Sequence, residues 1–408
     1  MKKWLVGVNV EEGLEILLKK VHQLEMQLVP IGQVFGRILA KDIVAREDIP
    51  PFSRSPYDGY ALKAEDTKDA DKNSPVILNI IEEVSAGHVA KNTVGNGEAI
   101  KILTGAPIPN GADIVVKYED TSFNIEEVCI FQGYESGMNI VPKGEDVSCG
   151  DTVVKKGIRL TPALTGLLAG LGYDKVMVYR RPIVAILSTG DELVDINCEL
   201  APGKIRNSSM YMLKAYLESY GMEVVLLGIV PDQVEVIGNR IKEGIRQADL
   251  VMTTGGVSVG DYDLLPKVMS FLNAEVLFWK TKMKPGSAFL AASYGEKMII
   301  SLSGNPTAAA VAMLTFAIPV LRKMSGEQKY LFDKIKVKIC QSFNKSSPNR
   351  RMIPGRLVIK EGQAYLDIYI KNGNGMIRPL HGCDYIAEIP AGSPPLEEGS
   401  SIMAYCIS

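Results

Sequence analysis

RPIVAILSTGDEL, residues 181–193, decides the fold class. Pro182 to Leu187 is an unbroken apolar run, followed at once by Ser188, Thr189 and Gly190 and then by the acids Asp191 and Glu192. A strand with one wet face alternates apolar and polar residues, so a nearly continuous run asks for burial on both faces. The segments downstream agree. SSMYMLKAYLESYG reads as a helix closed by Gly221, MEVVLLGIVPD as a strand, VEVIGNRIKEGIRQ as a helix and DLVMTTGG as a strand. DYDLLPKVMSFL is a helix, AEVLFWK and KMIISLSGNP are strands, and TAAAVAMLTFAIPVLRKM is a helix. Strands alternating with helices predict a doubly wound, mostly parallel α/β sheet.

The flanking textures differ. Residues 10–28 place Val10, Leu14, Leu17, Leu18, Val21 and Leu24 at helical spacing, which predicts an amphipathic helix. From about 74 to 160, short runs such as PVILNII, EAIKIL and DIVVKYE between Gly and Pro predict a β-rich domain. After about 327, KIKVKIC, RLVIK, AYLDIYI and YIAEIP predict a small antiparallel sheet or barrel. A chain of 408 residues exceeds one core and implies two to four units.

Composition excludes several classes. A net charge of −2 gives no field for nucleic acid. The longest apolar run, 307–321, is shorter than the roughly 20 residues that span a bilayer, so no membrane partner is expected. Six scattered cysteines without a CxxC pair fit neither a disulfide framework nor a zinc site. Three histidines (22, 88 and 381) argue against a His-based metal site or triad. No secretory leader is apparent, and a cytoplasmic location is expected. Carboxylates, lysines and backbone amides are left to carry any chemistry.

Three strand ends could carry it: STGDEL with Glu192, TTGGVSVGDYD (253–263) and SLSGNPTA (301–308). Gly255, Gly256, Ser258 and Gly260 of the second, and Gly304, Asn305 and Pro306 of the third, are candidate ligand-binding residues. Glycines let amides approach an anion, and helix N-termini add partial positive charge. Acids beside such nests suit a phosphate only if a hard cation lies between, which points to Mg²⁺. Each glycine turn alone serves equally well as an ordinary strand-to-helix connection. Lys284 and Pro285 in KTKMKPG (280–286) add directed charge, whereas a lysine run more commonly covers a solvated face. Lys204 and Arg206 could hold an anion or pair with local acids. Asp58 in PPFSRSPYDGYAL (50–62) and Thr104 in KILTGAPIPNGADIVV read, by themselves, as turn residues.

Together these segments resemble one family. PPFSRSPYDGYAL, TGAPIPNGADIVV, GEDV (144–147), STGDEL, GKIRNSS, TTGGVSVGDYD, MKPG and SGNPTAA stand in the order found in molybdopterin molybdenumtransferases, the bacterial MoeA proteins and the gephyrin E domain. The resemblance covers nearly the whole chain. It implies four domains: an elongated discontinuous one (1–45 plus 140–179), an inserted β-rich one (46–139), the α/β molybdopterin-binding domain (180–326) and a C-terminal β-barrel domain (327–408). It implies a homodimer, with ligand between the α/β domain of one subunit and the β-rich domain of its partner.

The implied reaction inserts molybdate into adenylylated molybdopterin, with hydrolysis of the adenylate and release of AMP. The implied cofactor is Mg²⁺, and a molybdopterin adenylyltransferase is an implied partner. The matching catalytic positions are Asp58, Thr104, Glu192 and Asp263; the acids Asp58, Glu192, Asp232 and Asp263 match the metal set, and Lys280 and Lys284 the anion-holding lysines. The chain departs from the family at Tyr57, Ser287, Ala288 and Ser303, which opens tungstate as an alternative oxyanion. A non-catalytic pterin-binding scaffold and a relative of the adenylylating enzyme are competing readings. The retained acids argue against the first, and the β domains with the DGYA segment against the second.

Overall fold

The computed structural model of the protein describes residues 4–257, 264–369 and 375–407. The candidates Ser258, Gly260 and Asp263 therefore lie outside the described residues. Two compact units form: Met1–Ala40, Gly157–Thr161 and Val176–Ser408 make the first, and Lys41–Lys156 with Pro162–Lys175 the second.

A seven-stranded sheet organises the first unit. Its spatial order is Glu223–Val230, Ile183–Thr189, Leu250–Thr254, Lys297–Leu302, Phe289–Tyr294, Glu275–Thr281 and Val6–Val8. Ile183–Thr189 runs parallel to both of its neighbours. The expected two-sided burial is present. Val184 and Ile186 enter a cluster with Met210, Leu213 and Leu217 of the helix Ser208–Ser219, while Ala185 and Leu187 enter the opposite one with Ile237, Ile241 and Leu265. Each large apolar side chain so buried stabilises by about 1.5–3 kcal/mol. The apolar helix Pro306–Met324 belongs here too, with 83% of its most apolar window buried. It keeps one π-helical turn, Met313–Ala317, in mid-course.

Two expectations need correction. The helix expected over 10–28 spans only Val10–Lys19; Met26–Pro30 is a strand paired with Lys175–Tyr179, because a ladder of backbone hydrogen bonds outweighs weak helical periodicity. Phe289–Tyr294 is an additional strand, antiparallel to both of its neighbours, reversing direction between Glu275–Thr281 and Lys297–Leu302. Near the C-terminus the expected barrel forms, closed by the further strand Ser401–Cys406. Its ring runs Arg350–Lys360, Gln363–Ile368, Lys334–Ile339, Ser401–Cys406 and Tyr385–Ile389, then back to the first. One pair in it, Lys334–Ile339 with Gln363–Ile368, is parallel.

In the second unit a six-stranded sheet has the order Ile114–Lys117, Gly59–Leu62, Glu98–Ile102, Val76–Val84, Glu127–Ile130 and Thr121–Phe123. Tyr60, Leu62, Ile114 and Val116 pack one side of it, and Ala61, Ile100, Ile102 and Val115 the other.

Two buried carboxylates fasten the base of the first unit. Asp249, 4% exposed, accepts a two-pronged bond from Arg180 (2.6 and 2.7 Å), one from Lys297 Nζ (3.1 Å) and one from the Ile183 amide (2.9 Å). Glu327 is gripped by Arg322 (2.8 and 2.9 Å) and Arg159 (2.8 Å). Burial pushes both carboxyls up, but the donated hydrogen bonds outweigh it and hold both below the usual carboxylate range. Lowered values mean stability that is fully present above the unfolded carboxylate range and lost as pH falls through the folded values. Urea midpoints should accordingly fall below about pH 5. Asp249→Ala should lower stability by about 2–3 kcal/mol at pH 7, since it leaves the half-buried Arg180 without its main partner. An unchanged midpoint would show the cluster to be solvated.

Candidate functional site

Parallel strands point their carboxyl ends to one edge, and there the sequence places its glycines. Gly255 follows Leu250–Thr254 with φ +93°, and a Cβ on it would stand 2.1 Å from the Thr189 carbonyl oxygen. Only glycine allows those strand ends to approach so closely. Gly304, after Lys297–Leu302, lies 3.7 Å from the Gly255 Cα, measured from where its own Cβ would be. The result is a cleft of about 850 Å³ lined by Thr189, Glu192, Gly255, Gly256, Gly304, Asn305 and Pro306, among others.

Two helix N-termini open on this cleft. Buried Asn207 caps Ser208–Ser219 by accepting from the Met210 amide (3.2 Å), and Pro306 starts the other helix at its first position. Ser209 Oγ donates to the Gly304 carbonyl (3.3 Å), joining the two ends. Unfilled N–H groups and the positive helix poles make this an anion-binding edge.

Glu192 lines the cleft, and its carboxylate folds over Gly190, where a Cβ would sit 2.5 Å from Oε2. Asp232 accepts a short hydrogen bond from Thr189 Oγ1, and its amide donates to Asp191 Oδ1 (3.3 Å). Lys284 and Pro285 line the cleft, as do Ser287, Ala288 and Ser303. Lys280 does not; its ammonium lies 4.2 Å over the Trp279 ring. Lys204 and Arg206 find backbone carbonyls, those of Asp191, Ile196 and Cys198, rather than acids. Among the described residues no three acids, cysteines or histidines gather closely enough to hold a metal ion.

Lys282 and Asn349 also line the cleft, and sequence reasoning did not single them out. Alternation along the Lys282-Met283-Lys284 run, with Met283 buried and both lysines exposed, was the available signal for the first. Asn349 had none, because it arrives from the barrel. Met283–Lys284 pairs in parallel with Arg350–Lys360, and the Thr307 hydroxyl bonds to the Met376 carbonyl. The barrel thereby supplies part of the cleft wall.

In the second unit, Gly59–Leu62 and Glu98–Ile102 are adjacent antiparallel strands, so Asp58 and Thr104 meet at one sheet edge. Thr104 donates to Asp58 Oδ1 through both its amide (2.7 Å) and its hydroxyl (2.8 Å). Those two bonds hold the Asp58 carboxyl below the usual range while leaving it exposed. The stiff segment has a cause. Ser55 Oγ accepts from the Tyr57 amide (3.2 Å) and donates to its carbonyl (2.5 Å), and the Ser55 backbone bonds Gly105 and Ala106. Lys117 Nζ caps the Tyr57 ring at 4.1 Å. A Cβ on Gly59 would meet the Val116 carbonyl oxygen at 2.1 Å. Neither Asp58 nor Thr104 is a plain turn residue.

Gly255→Ala should cost about 2–4 kcal/mol in urea unfolding, from overpacking and a strained φ together. Gly295→Ala, where the added Cβ meets open space, should cost only about 1–2 kcal/mol. Equal losses would remove the close approach as the reason for glycine at 255.

Comparisons with known proteins agree with this geometry. Residues 8–172 match the family described as "MoeA N-terminal region (domain I and II)", and residues 185–323 the "Probable molybdopterin binding domain". A molybdopterin molybdenumtransferase from Staphylococcus epidermidis is 34% identical over 396 residues, 97% of this chain and 94% of that protein. One from Staphylococcus aureus is 35% identical over 395 residues, with the same coverage. The crystal structure of a molybdopterin biosynthesis MoeA protein from Pyrococcus horikoshii superposes with a TM-score of 0.85 at 32% identity, over 98% of this chain and 100% of that one. These relatives favour the transferase over the scaffold reading. The chain belongs to the molybdopterin molybdenumtransferase family, whose enzymes act in molybdenum cofactor biosynthesis.

Proposed function

We propose that the chain inserts molybdate into adenylylated molybdopterin, cleaving the adenylate with water and releasing AMP. The observation that carries this is the cleft at the strand ends, where two helix N-termini and the ammonium groups of Lys282 and Lys284 face one space of about 850 Å³. Such a space suits a ligand rich in phosphate oxygens. Backbone amides at Gly256 and Gly304 would hold those oxygens, those of Gly255 and Asn305 being engaged by the Leu302 carbonyl and Ser303 Oγ, and Lys284 would hold the incoming oxyanion.

The carboxylates fit a hard cation by donor type. Glu192 faces the cleft, Asp232 stands tied to Thr189 beside it, and Asp263 lies outside the described residues. Mg²⁺ bound by these acids and by phosphate oxygens would neutralise charge developing at the cleaved anhydride. Asp58, fixed by Thr104, is a preorganised carboxylate whose position costs little to maintain during the reaction. A homodimer in the cytoplasm, the four-domain division at 45, 140, 180 and 327, and a molybdopterin adenylyltransferase as supplier of the substrate complete the proposal.

AMP release from adenylylated molybdopterin with Mg²⁺ and molybdate is the direct assay. Glu192→Ala and Asp58→Asn should each slow it by about 10²–10³-fold with the fold retained. Full turnover in both variants would end the assignment. Tungstate in place of molybdate, in the same assay, reads the oxyanion preference left open by Ser287, Ala288 and Ser303.

The lowered Asp58 value gives a second test. Thr104→Val removes the hydroxyl donor, so the Asp58 carboxyl should rise and the acid limb of the pH–rate profile should move to higher pH. A stationary limb would show that Asp58 is not the group titrating.

A further inference from the structure

At the opposite ends of the sheet strands, four arginines line a small half-open pocket. Arg37, Arg159, Arg180 and Arg181 line it, with Gly36, Tyr179 and Tyr220, and its volume is about 10 Å³. Two of the four are already satisfied. Arg159 pairs with Glu327, and Arg180 with Asp249 and Glu25. Among the described residues neither Arg37 nor Arg181 forms an ion pair. Each has its Nε buried with no hydrogen-bond partner in the protein. Arg37 donates once, from an outer nitrogen to the Tyr179 carbonyl (3.1 Å). Burial, and then the neighbouring Arg181 charge, depress the Arg37 guanidinium, and Glu223 only partly opposes this.

We propose that Arg37 and Arg181 form a binding site for one small anion, a halide ion or a single oxygen of an oxoanion. Two buried N–H donors require acceptors, and a buried donor left unmatched costs about 1–3 kcal/mol. Burial and the neighbouring Arg181 charge both disfavour the charged Arg37 guanidinium, and a bound anion would relieve this more than a water molecule. The pocket has room for one water-sized atom, which sets the size of the guest. Its frame is fixed: Arg159 donates to the Gly36 carbonyl (3.1 Å), and Pro182 accepts from the Glu223 amide (2.9 Å). Arg181 stands two positions before Ile183–Thr189, and that strand's seven residues span about 20 Å. The site is thus separate from the cleft and independent of the proposed reaction. An anion here links the Gly36–Ile38 segment to the start of the central strand.

Crystals soaked in sodium bromide should show an anomalous peak in the pocket lined by Arg37 and Arg181. In solution, bromide, chloride or phosphate, titrated at concentrations low enough to leave ionic strength nearly constant, should raise the melting temperature saturably, on the order of 2–4 °C. A response to halides identifies a monatomic guest, and one to phosphate alone an oxoanion. Arg181→Gln and Arg37→Gln should each abolish both the peak and the response, while AMP release stays at the wild-type rate. Arg181→Lys, which restores charge without the fork, should recover part of the shift. No peak and no saturable shift overturns the proposal. So does a peak without a saturable shift, an adventitious ion only, or an equal shift in the glutamine variants.

Discussion

Both faces of the strand Ile183–Thr189 are dry, and that constraint governs much of the structure. Its backbone N–H and C=O groups have no water to bond, so parallel neighbours must satisfy them on either side. Its side chains alternate between two clusters, so helices must cover both faces. Parallel neighbours in turn send their carboxyl ends to one edge, and the cleft forms there rather than elsewhere. At the other edge the same geometry brings Asp249, Arg180 and Lys297 together at the strand starts. The cleft and the Asp249 ion pairs thereby stand at opposite ends of one sheet.

The cleft edge is built by subtraction. Removing a Cβ at 190 and 255 lets a carboxylate and a carbonyl come closer than an added Cβ would allow. The same device recurs in the second unit, where Gly59 admits the Val116 carbonyl and so fixes the strand that begins just after Asp58. In both places a carboxylate stands beside such a glycine: Glu192 over Gly190, and Asp58, held by Thr104, next to Gly59. Fixed acids beside amide-rich turns are suited to a ligand that carries phosphate and requires a cation to approach them.

The fold class was legible because the strand runs and helical periods are strong and local. Helix Ser208–Ser219, with Gly221 beyond its end, and helix Val234–Gln247 match their sequence spans closely. Weaker patterns misled. Residues 20–25 continue an apolar period that the chain abandons, because Met26–Pro30 finds a strand partner some 150 residues later. Phe289–Tyr294 went unnoticed because its run, FLAASY, is short and small-residued, and its strand character depends on two neighbours. Among site residues, Glu192, Lys284, Gly255 and Asn305 announced themselves through turn chemistry, whereas Asn349 belongs to a loop whose placement only the barrel determines.

What the sequence by itself determined is local. It specified which runs are buried on both faces, where glycine must relieve a Cβ, which acids stand at strand ends, and the order of motifs that marks the family. Tertiary structure alone decided which of these groups meet. Asp58 and Thr104, 46 positions apart, share a hydrogen bond because their strands are antiparallel neighbours. Lys280 and Lys284, four positions apart, part company because the backbone turns to positive φ at Lys280. Arg37 and Arg181 show no relation along the chain, yet they lie side by side at the base of the sheet. Periodicity and turn preference act over a few residues, so they are written in the sequence. Pairing of distant strands depends on which buried surfaces and backbone donors find one another, and only the assembled fold settles that.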